Sequence, residues 1–273
     1  MQIHRQAARQ EYACQKCGKT ISKGTVYLTY KHRYARRTIR CVACYPRASE
    51  LTTSEKLSAL YGAQETVGDV TAALQQASVQ DMTAEAMRKV LGDLHSEVAS
   101  AQETAQDVAG QYEESADNME QYFPGSSRVD EIRDKASSCE DWAGELDNAA
   151  STIDGMIEEK TDFAAILVAI SSVATTAVAA LNERGLLPDH PIRAFPGDAE
   201  IDPGMVTVGG LNDLVTALRG LLSNITESSP DACGLVDREI GQASEIAAQM
   251  AEIAAVLDEA AKAADDAAES LSL

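Results

Sequence analysis

Four cysteines carry the clearest chemistry in the chain. Cys14-Gln-Lys-Cys17 and Cys41-Val-Ala-Cys44 are two Cys-x2-Cys pairs with 23 residues between them. On a tight turn, such a pair points both thiolates at one metal ion while backbone N–H groups face the sulfurs. Two turns supply the tetrahedral four-sulfur shell suited to Zn2+. The expectation is a structural zinc held by Cys14, Cys17, Cys41 and Cys44. Four thiolates leave no open coordination position, so catalytic zinc is not expected. The competing use of these residues is a pair of disulfides, which belongs to oxidising compartments. Cys139 and Cys233 stand alone in helical pattern and read as buried small apolar residues.

A second candidate site lies between the two pairs. Lys31-His-Arg-Tyr-Ala-Arg-Arg37 clusters cations around an aromatic ring, with Tyr27 and Tyr30 close in sequence. Lysine and arginine neutralise phosphates, and tyrosine or arginine stacks on bases. The candidate nucleic-acid contacts are therefore Lys31, Arg33, Tyr34, Arg36, Arg37 and Arg40. The same patch also suits a protein partner or the chain's own acidic helices, and both readings stay open. His32, set in this basic loop, is expected to be exposed rather than a metal ligand.

The elements that position these residues follow from pattern. Thr25–Tyr30 is rich in β-formers and Arg37–Arg40 runs into the second cysteine pair, so two strands with a knuckle at each end make a zinc ribbon. A module this small cannot fold on its apolar core, and zinc binding is expected to supply on the order of 10 kcal/mol of its folding free energy.

Charge separates the ribbon from the rest. Residues 1–47 hold eleven Lys/Arg against the single acid Glu11, a net of +10 in a chain whose total is -20. The remainder therefore carries -30, which excludes a uniformly basic binder. Halves of opposite sign point to two functions on one chain or to halves that touch. Aromatic residues make up only 4%, so alanine must do much of the packing, which favours helices with close axes.

The helices can be placed. Thr52-Thr-Ser-Glu55 has capping-box spacing and opens a helix over 54–76. A second starts near Asp81–Thr83. Its small and apolar residues at Met87, Leu91, Leu94, Val98, Ala101, Ala105, Val108, Tyr112, Ser115, Met119 and Tyr122 alternate steps of four and three, a coiled-coil seam. Phe123-Pro-Gly-Ser-Ser127 breaks it and permits a reversal. The pattern resumes at Val129, Ile132, Ala136, Cys139, Ala143, Leu146, Ala150, Ile153 and Ile157. The expectation is an antiparallel hairpin turning at Pro124-Gly125.

Phe163–Asn182 is an uncharged run long enough to span a bilayer. Its Ala, Ser and Thr content instead fits a helix buried in a bundle, and no membrane partner is expected. Residues 185–210 are rich in Pro and Gly. Ile192–Phe195 and Met205–Val208 are read as a small hairpin. Asp198–Asp202 imitates the start of a calcium loop, but glycine stands where the closing glutamate belongs, so it reads as a solvated turn. Helices are expected over 211–224 and 231–270, the latter with a seam at Ile246, Met250, Ile253, Leu257, Ala260, Ala264, Ala267 and Leu271. No phosphate loop, nucleophile elbow or second metal motif is present, so no enzyme activity is expected.

The ribbon motif Cys14-Gln-Lys-Cys17-Gly-Lys, with Lys23-Gly24, Arg40-Cys41-Val-Ala-Cys44 and Arg47-Ala-Ser-Glu-Leu-Thr-Thr-Ser54, resembles a group of uncharacterised proteins encoded by tailed viruses of bacteria and archaea. Tyr112–Asn118 and Trp142–Asp147 are similar to the same group. The resemblance covers about residues 8–150 and implies a zinc ribbon joined to a helical hairpin, and a viral source. It implies no activity.

Together these readings give a mainly α chain. A four-Cys zinc ribbon occupies 1–50 and a helical region with the hairpin 51–184. A connector follows at 185–210, then C-terminal helices at 211–273. The expected function is a non-enzymatic viral accessory protein that binds nucleic acid through the ribbon. The alternative is an adaptor whose acidic hairpin grips a host or viral protein. Residues 1–20 lack the apolar stretch of a secretory signal, which points to the cytoplasm of an infected cell. Oligomerisation is left open.

Overall fold

The computed structural model describes residues 2–32, 35–159, 162–183, 203–228 and 233–271. Arg33, Tyr34, Ile192–Phe195 and Asp198–Asp202 lie outside the described residues, as does the side chain of Cys233. Among the described residues the chain is a small N-terminal β region followed by seven α-helices.

The β region has five short strands: β1 (His4–Ala7), β2 (Tyr12–Ala13), β3 (Thr20–Ile21), β4 (Val26–Tyr30) and β5 (Thr38–Cys41). β4 and β5 are the two strands legible in the sequence, and β1 joins them in an antiparallel sheet of order β1-β4-β5. β2 and β3 form a separate hairpin. The register aligns Gln6, Tyr27 and Cys41 across the sheet, and Arg5, Leu28 and Arg40 beside them. Partners across an antiparallel ladder share a face. The Tyr27 face closes on the hairpin, where Ala8, Cys14 and Ile21 are buried with it against Tyr12, Ile39, Cys41 and Cys44. The opposite face carries Leu28, Tyr30 and Arg40, all buried as well.

The helices are α1 (Ala48–Leu51), α2 (Glu55–Gln75), α3 (Ala84–Tyr122), α4 (Ser127–Glu159), α5 (Phe163–Glu183), α6 (Val208–Ser228) and α7 (Cys233–Glu269). They contribute to two compact units. One comprises Met1–Asp69, Ala99–Leu146 and Ala268–Leu273, and the other Val70–Val98 and Asp147–Ala267.

In the first unit the hairpin reverses at Pro124-Gly125, where Gly125 takes φ +73°, a left-handed conformation that glycine adopts at low cost. Arg133 of α4 reaches back across this turn to Asp117 and Glu120 of α3. The α3 seam is buried at Ala101, Ala105, Val108 and Tyr112, and the α4 seam at Val129, Ala136, Cys139, Ala143 and Leu146, beside Trp142. The α3 seam departs from the sequence pattern at its end: Ala116 is buried instead of Ser115, and Tyr122 is 73% exposed. Steps of four carry the stripe from Tyr112 to Ala116, in line with 3.6 residues per turn. α2 keeps within one residue of its expected bounds, and its cap is Ser54 rather than Thr52, with Ser54 Oγ accepting the Leu57 N–H at 3.4 Å. Lys56 Nζ donates to Gln111 O at 2.6 Å and Ser115 Oγ at 2.9 Å, anchoring α2 to α3.

In the second unit Met87, Leu91, Leu94 and Val98 are buried with Ile153, Phe163 and Ile170, and with Leu211, Leu218 and Leu222 of α6. The α7 stripe from Ile246 to Ala267 is buried, widened by Val256 and Ala261. Of the expected hairpin between 192–195 and 205–208, the first half lies outside the described residues and the second is not a strand. Pro203–Met205 form a 3-10 turn, Thr207 bridges Thr83, and Val208 N donates to Met82 O at 3.0 Å. Each bridging threonine also caps a helix: Thr83 Oγ1 accepts Ala86 N–H at 3.3 Å, and Thr207 Oγ1 accepts Gly210 N–H at 3.1 Å. The Thr207 cap starts α6 before its two glycines, three residues earlier than the apolar pattern indicated. α5 buries Phe163, Ile170, Val173, Ala174 and Ala177 on one side. No helix of the described residues is long and apolar enough to cross a membrane.

Candidate metal centre

The first knuckle runs from β2 to β3, and the second follows β5. Gly18, at φ +71°, closes the first turn, with its N–H bonded to Cys14 O at 2.9 Å. Cys44 N–H bonds Cys41 O at 2.9 Å in the second. Gln15 joins the two knuckles: its N–H donates to Ile39 O at 3.0 Å, and its Oε1 accepts the Ile39 N–H at 3.1 Å. This two-point clamp holds the first turn beside β5, so both Cys pairs face one point.

The four Sγ atoms of Cys14, Cys17, Cys41 and Cys44 lie within 4.8 Å of one another. The Cys17–Cys41 separation is 3.7 Å. A regular tetrahedron with metal–sulfur bonds of about 2.3 Å has sulfurs roughly 3.8 Å apart, so the spacing fits a four-thiolate shell. All four thiols are free, as is Cys139 in the α4 core. The cluster can hold a metal ion, since its four ligand atoms already converge, and the four thiols are not paired as disulfides.

Electrostatics favour a cation at the centre. Burial pushes the Cys14 thiol up, but the backbone N–H groups of Cys17, Cys41 and Lys16 outweigh it and bring Cys14 down to about 6. Cys44 goes the other way, to about 12, because its proton is held by hydrogen bonds to Cys41 and Cys17. Sulfurs this close cannot all be anionic without a positive charge among them, which a metal ion would supply. Cys14 is buried and Cys17 exposed, so the centre sits at the ribbon surface.

The candidate nucleic-acid contacts divide. Lys31, Arg36 and Arg37 are exposed and make no ion pair among the described residues. Arg5, Arg9, Lys19 and Lys23 are exposed in the same way. Arg33 and Tyr34 lie outside the described residues. Arg40 is not in the open set. It is 9% exposed, and its Nη2 donates to Glu50 Oε1 at 3.0 Å and to Tyr30 Oη at 3.4 Å. Its strand position, on the face opposite Cys41, turns it inward toward α1. Tyr27 and Tyr30 are buried too, Tyr27 against the Tyr12 ring with centroids 5.2 Å apart, so neither offers a stacking surface. His32 is half-buried rather than exposed, with Nε2 3.1 Å from Glu50 O.

Glu50, absent from the sequence-based set, organises this junction. Its carboxylate accepts hydrogen bonds from Arg40 and from the Arg47 N–H at 3.1 Å, and forms an ion pair with Lys16 Nζ at 3.6 Å. Partial burial pushes the Glu50 carboxyl up, but the Arg47 N–H and the Arg40 and Lys16 charges hold it below its ordinary value. Arg47 in turn grips Asp69 of α2 through both terminal nitrogens at 2.6 and 3.0 Å. Ser49 donates its N–H and hydroxyl to Glu65 at 3.1 and 2.6 Å. The signal in the sequence was position: Glu50 is the first acid after Glu11.

A cleft of about 490 Å³ in the second unit is lined by Asp162, Ala165, Ile166, Ala169, Gln249, Glu252 and Ile253. Its lining combines two carboxylates and an amide with an apolar floor, and contains no thiol, imidazole or hydroxyl. The four-cysteine cluster is thus the centre with a defined donor set. Compared with known proteins, the chain matches no family model, no curated protein and no solved structure.

Proposed function

We propose that the chain binds nucleic acid through a zinc-stabilised ribbon, by phosphate contact and without strong sequence preference. Zinc is the ion that four thiolates at tetrahedral spacing suit best, and its role is structural because the shell has no free position. The observation that carries the nucleic-acid reading is the division of the ribbon's cations. Arg40, Arg47 and Lys16 are engaged by Glu50 and Asp69, whereas Lys31, Arg36 and Arg37 stand exposed without an acid. Exposed, unpaired cations suit phosphates, and the burial of Tyr27 and Tyr30 takes those two rings out of base-stacking. The resemblance of residues 14–54 to tailed-virus proteins gives this reading its setting, an accessory protein of infection.

The test is anisotropy of labelled single- and double-stranded DNA and RNA with the full-length, zinc-loaded chain at low salt. Binding should weaken steeply with salt. Absence of binding to all four probes at low salt overturns the reading.

A protein-interaction role is the second reading. It is supported by the exposed Tyr122 and Phe123 at the turn of the acidic hairpin. A pull-down that survives nuclease treatment favours it over the first.

A further inference from the structure

We propose that the turn of the α3–α4 hairpin is a docking element for the knuckle face of a second copy of this chain. The inference deepens the interaction reading of the hairpin and needs the folded knuckles. It makes no use of the Lys31–Arg37 loop.

Two apolar patches on the first unit stand open with rims of opposite charge. At the turn, Tyr122 is 73% exposed and Phe123 65% exposed. Around them, residues 117–134 carry Asp117, Glu120, Asp130, Glu131 and Asp134 against Arg128 and Arg133. At the metal centre, Val42 is 48% exposed between the ligands Cys41 and Cys44, and Tyr45 is 53% exposed just after them. The 3.7 Å approach of Cys17 to Cys41 brings the first knuckle, whose sequence carries Lys16 and Lys19, up to the second. Lys19 is exposed without an ion pair, and Lys16 keeps 41% of its side chain exposed while sharing Glu50.

An apolar centre with a charged rim is the anatomy of a protein interface, and aromatic side chains are its usual anchors. The occupant follows from charge. A chain of net charge -20 repels its own copies across most of its surface. Placing the one basic module of a copy against an acidic turn replaces that repulsion with attraction. The two patches are different surfaces, so the contact is heterologous: a pair of copies still has one free turn and one free knuckle. Such a contact builds an open chain or a ring rather than a closed pair. Both patches are small, so the association should be weak and sensitive to salt.

Sedimentation velocity on the full-length, zinc-loaded chain tests this, over a concentration series at low and high salt. The expected result is a mass that rises past the dimer with concentration and falls back with salt. Tyr122→Ser with Phe123→Ser, and separately Val42→Ser with Tyr45→Ser, should each weaken assembly roughly tenfold or more, the size of effect seen when aromatic anchors are truncated. Mixing the two variants is decisive: one supplies an intact knuckle and the other an intact turn, so they should form a two-chain complex that grows no further. Lys19→Glu, which leaves all four ligands and the apolar residues in place, should weaken assembly too. Wild-type chain that stays monomeric throughout overturns the proposal. So does a turn variant that assembles like wild type, or a mixture that fails to pair.

Discussion

Arg40 and Glu50 meet with Nη2 and Oε1 3.0 Å apart, and through them the strand that carries the candidate ligand Cys41 is tied to the first helix after the ribbon. Arg40 is nearly buried and Glu50 partly so, with side-chain exposures of 10% and 28%. The pair therefore matters more than a surface ion pair, whose contribution is about 0–1 kcal/mol. Without its partner, the Arg40 guanidinium would be left buried and uncompensated.

Glu50→Ala should lower the stability of the ribbon by about 1–3 kcal/mol, the cost of stranding a buried donor. Urea denaturation followed by tyrosine fluorescence of the β region measures it. A variant indistinguishable from wild type would show that the ribbon does not depend on this junction.

The same pair sets a pH dependence. The folded-state pKa of Glu50 lies below its ordinary 4.5, so its contribution to stability is present above that value. It is lost as the pH falls through the depressed folded-state value, because the unfolded chain then binds the proton first. Acid titration should therefore release the ribbon from α1 in wild type below about pH 4.5, and Glu50→Gln should flatten that limb. Chemical shifts of His32 and Ile39 would report it.

The salt dependence of nucleic-acid binding should separate the exposed cations from the engaged ones. Arg36→Ala with Arg37→Ala should reduce the slope of log affinity against log salt by about 2 for a duplex. Arg40→Ala should leave the slope unchanged while lowering stability. A slope lost with Arg40 instead would mean that it faces the ligand.

Gly209 predicts a stability effect of unusual sign. Alanine for glycine inside a helix ordinarily gains about 1 kcal/mol. Here a Cβ would stand 2.9 Å from the main-chain oxygen of Gln80, which has no flexible end to swing away. Gly209→Ala should lower the urea midpoint, and a raised midpoint would contradict the close approach at the Thr83–Thr207 bridge.

Much of this architecture was legible before any coordinates. The Cys-x2-Cys spacing named the cluster because ligand geometry is local to each turn. The heptad steps named the hairpin because 3.5-residue periodicity survives in sequence. What was not legible depended on partners distant in the chain. Nothing local distinguishes Arg40 from Arg36, yet pleat alternation places Arg40 on the face that closes on Glu50, while Arg36 stays in the loop. Tyr27 and Tyr30 read as stacking residues for the same reason: a tyrosine beside cations looks alike whether it fills a core or faces solvent. β1 went unread because all four of its residues are exposed and show no alternation. Gln15 and Glu50 act through Ile39 and Arg40, contacts that only the folded ribbon brings together.

In the function proposed above, the four cysteines hold one zinc ion that keeps the ribbon folded. Native mass spectrometry with elemental analysis of the full-length chain, purified without added metal, tests it most directly. The expected result is one zinc per chain, lost on chelation together with the β-region signals while the helical signal persists. It also predicts no zinc bound by a Cys14→Ser, Cys41→Ser chain. Less than half an equivalent of zinc in the wild type, or a β region that stays folded after chelation, would contradict it.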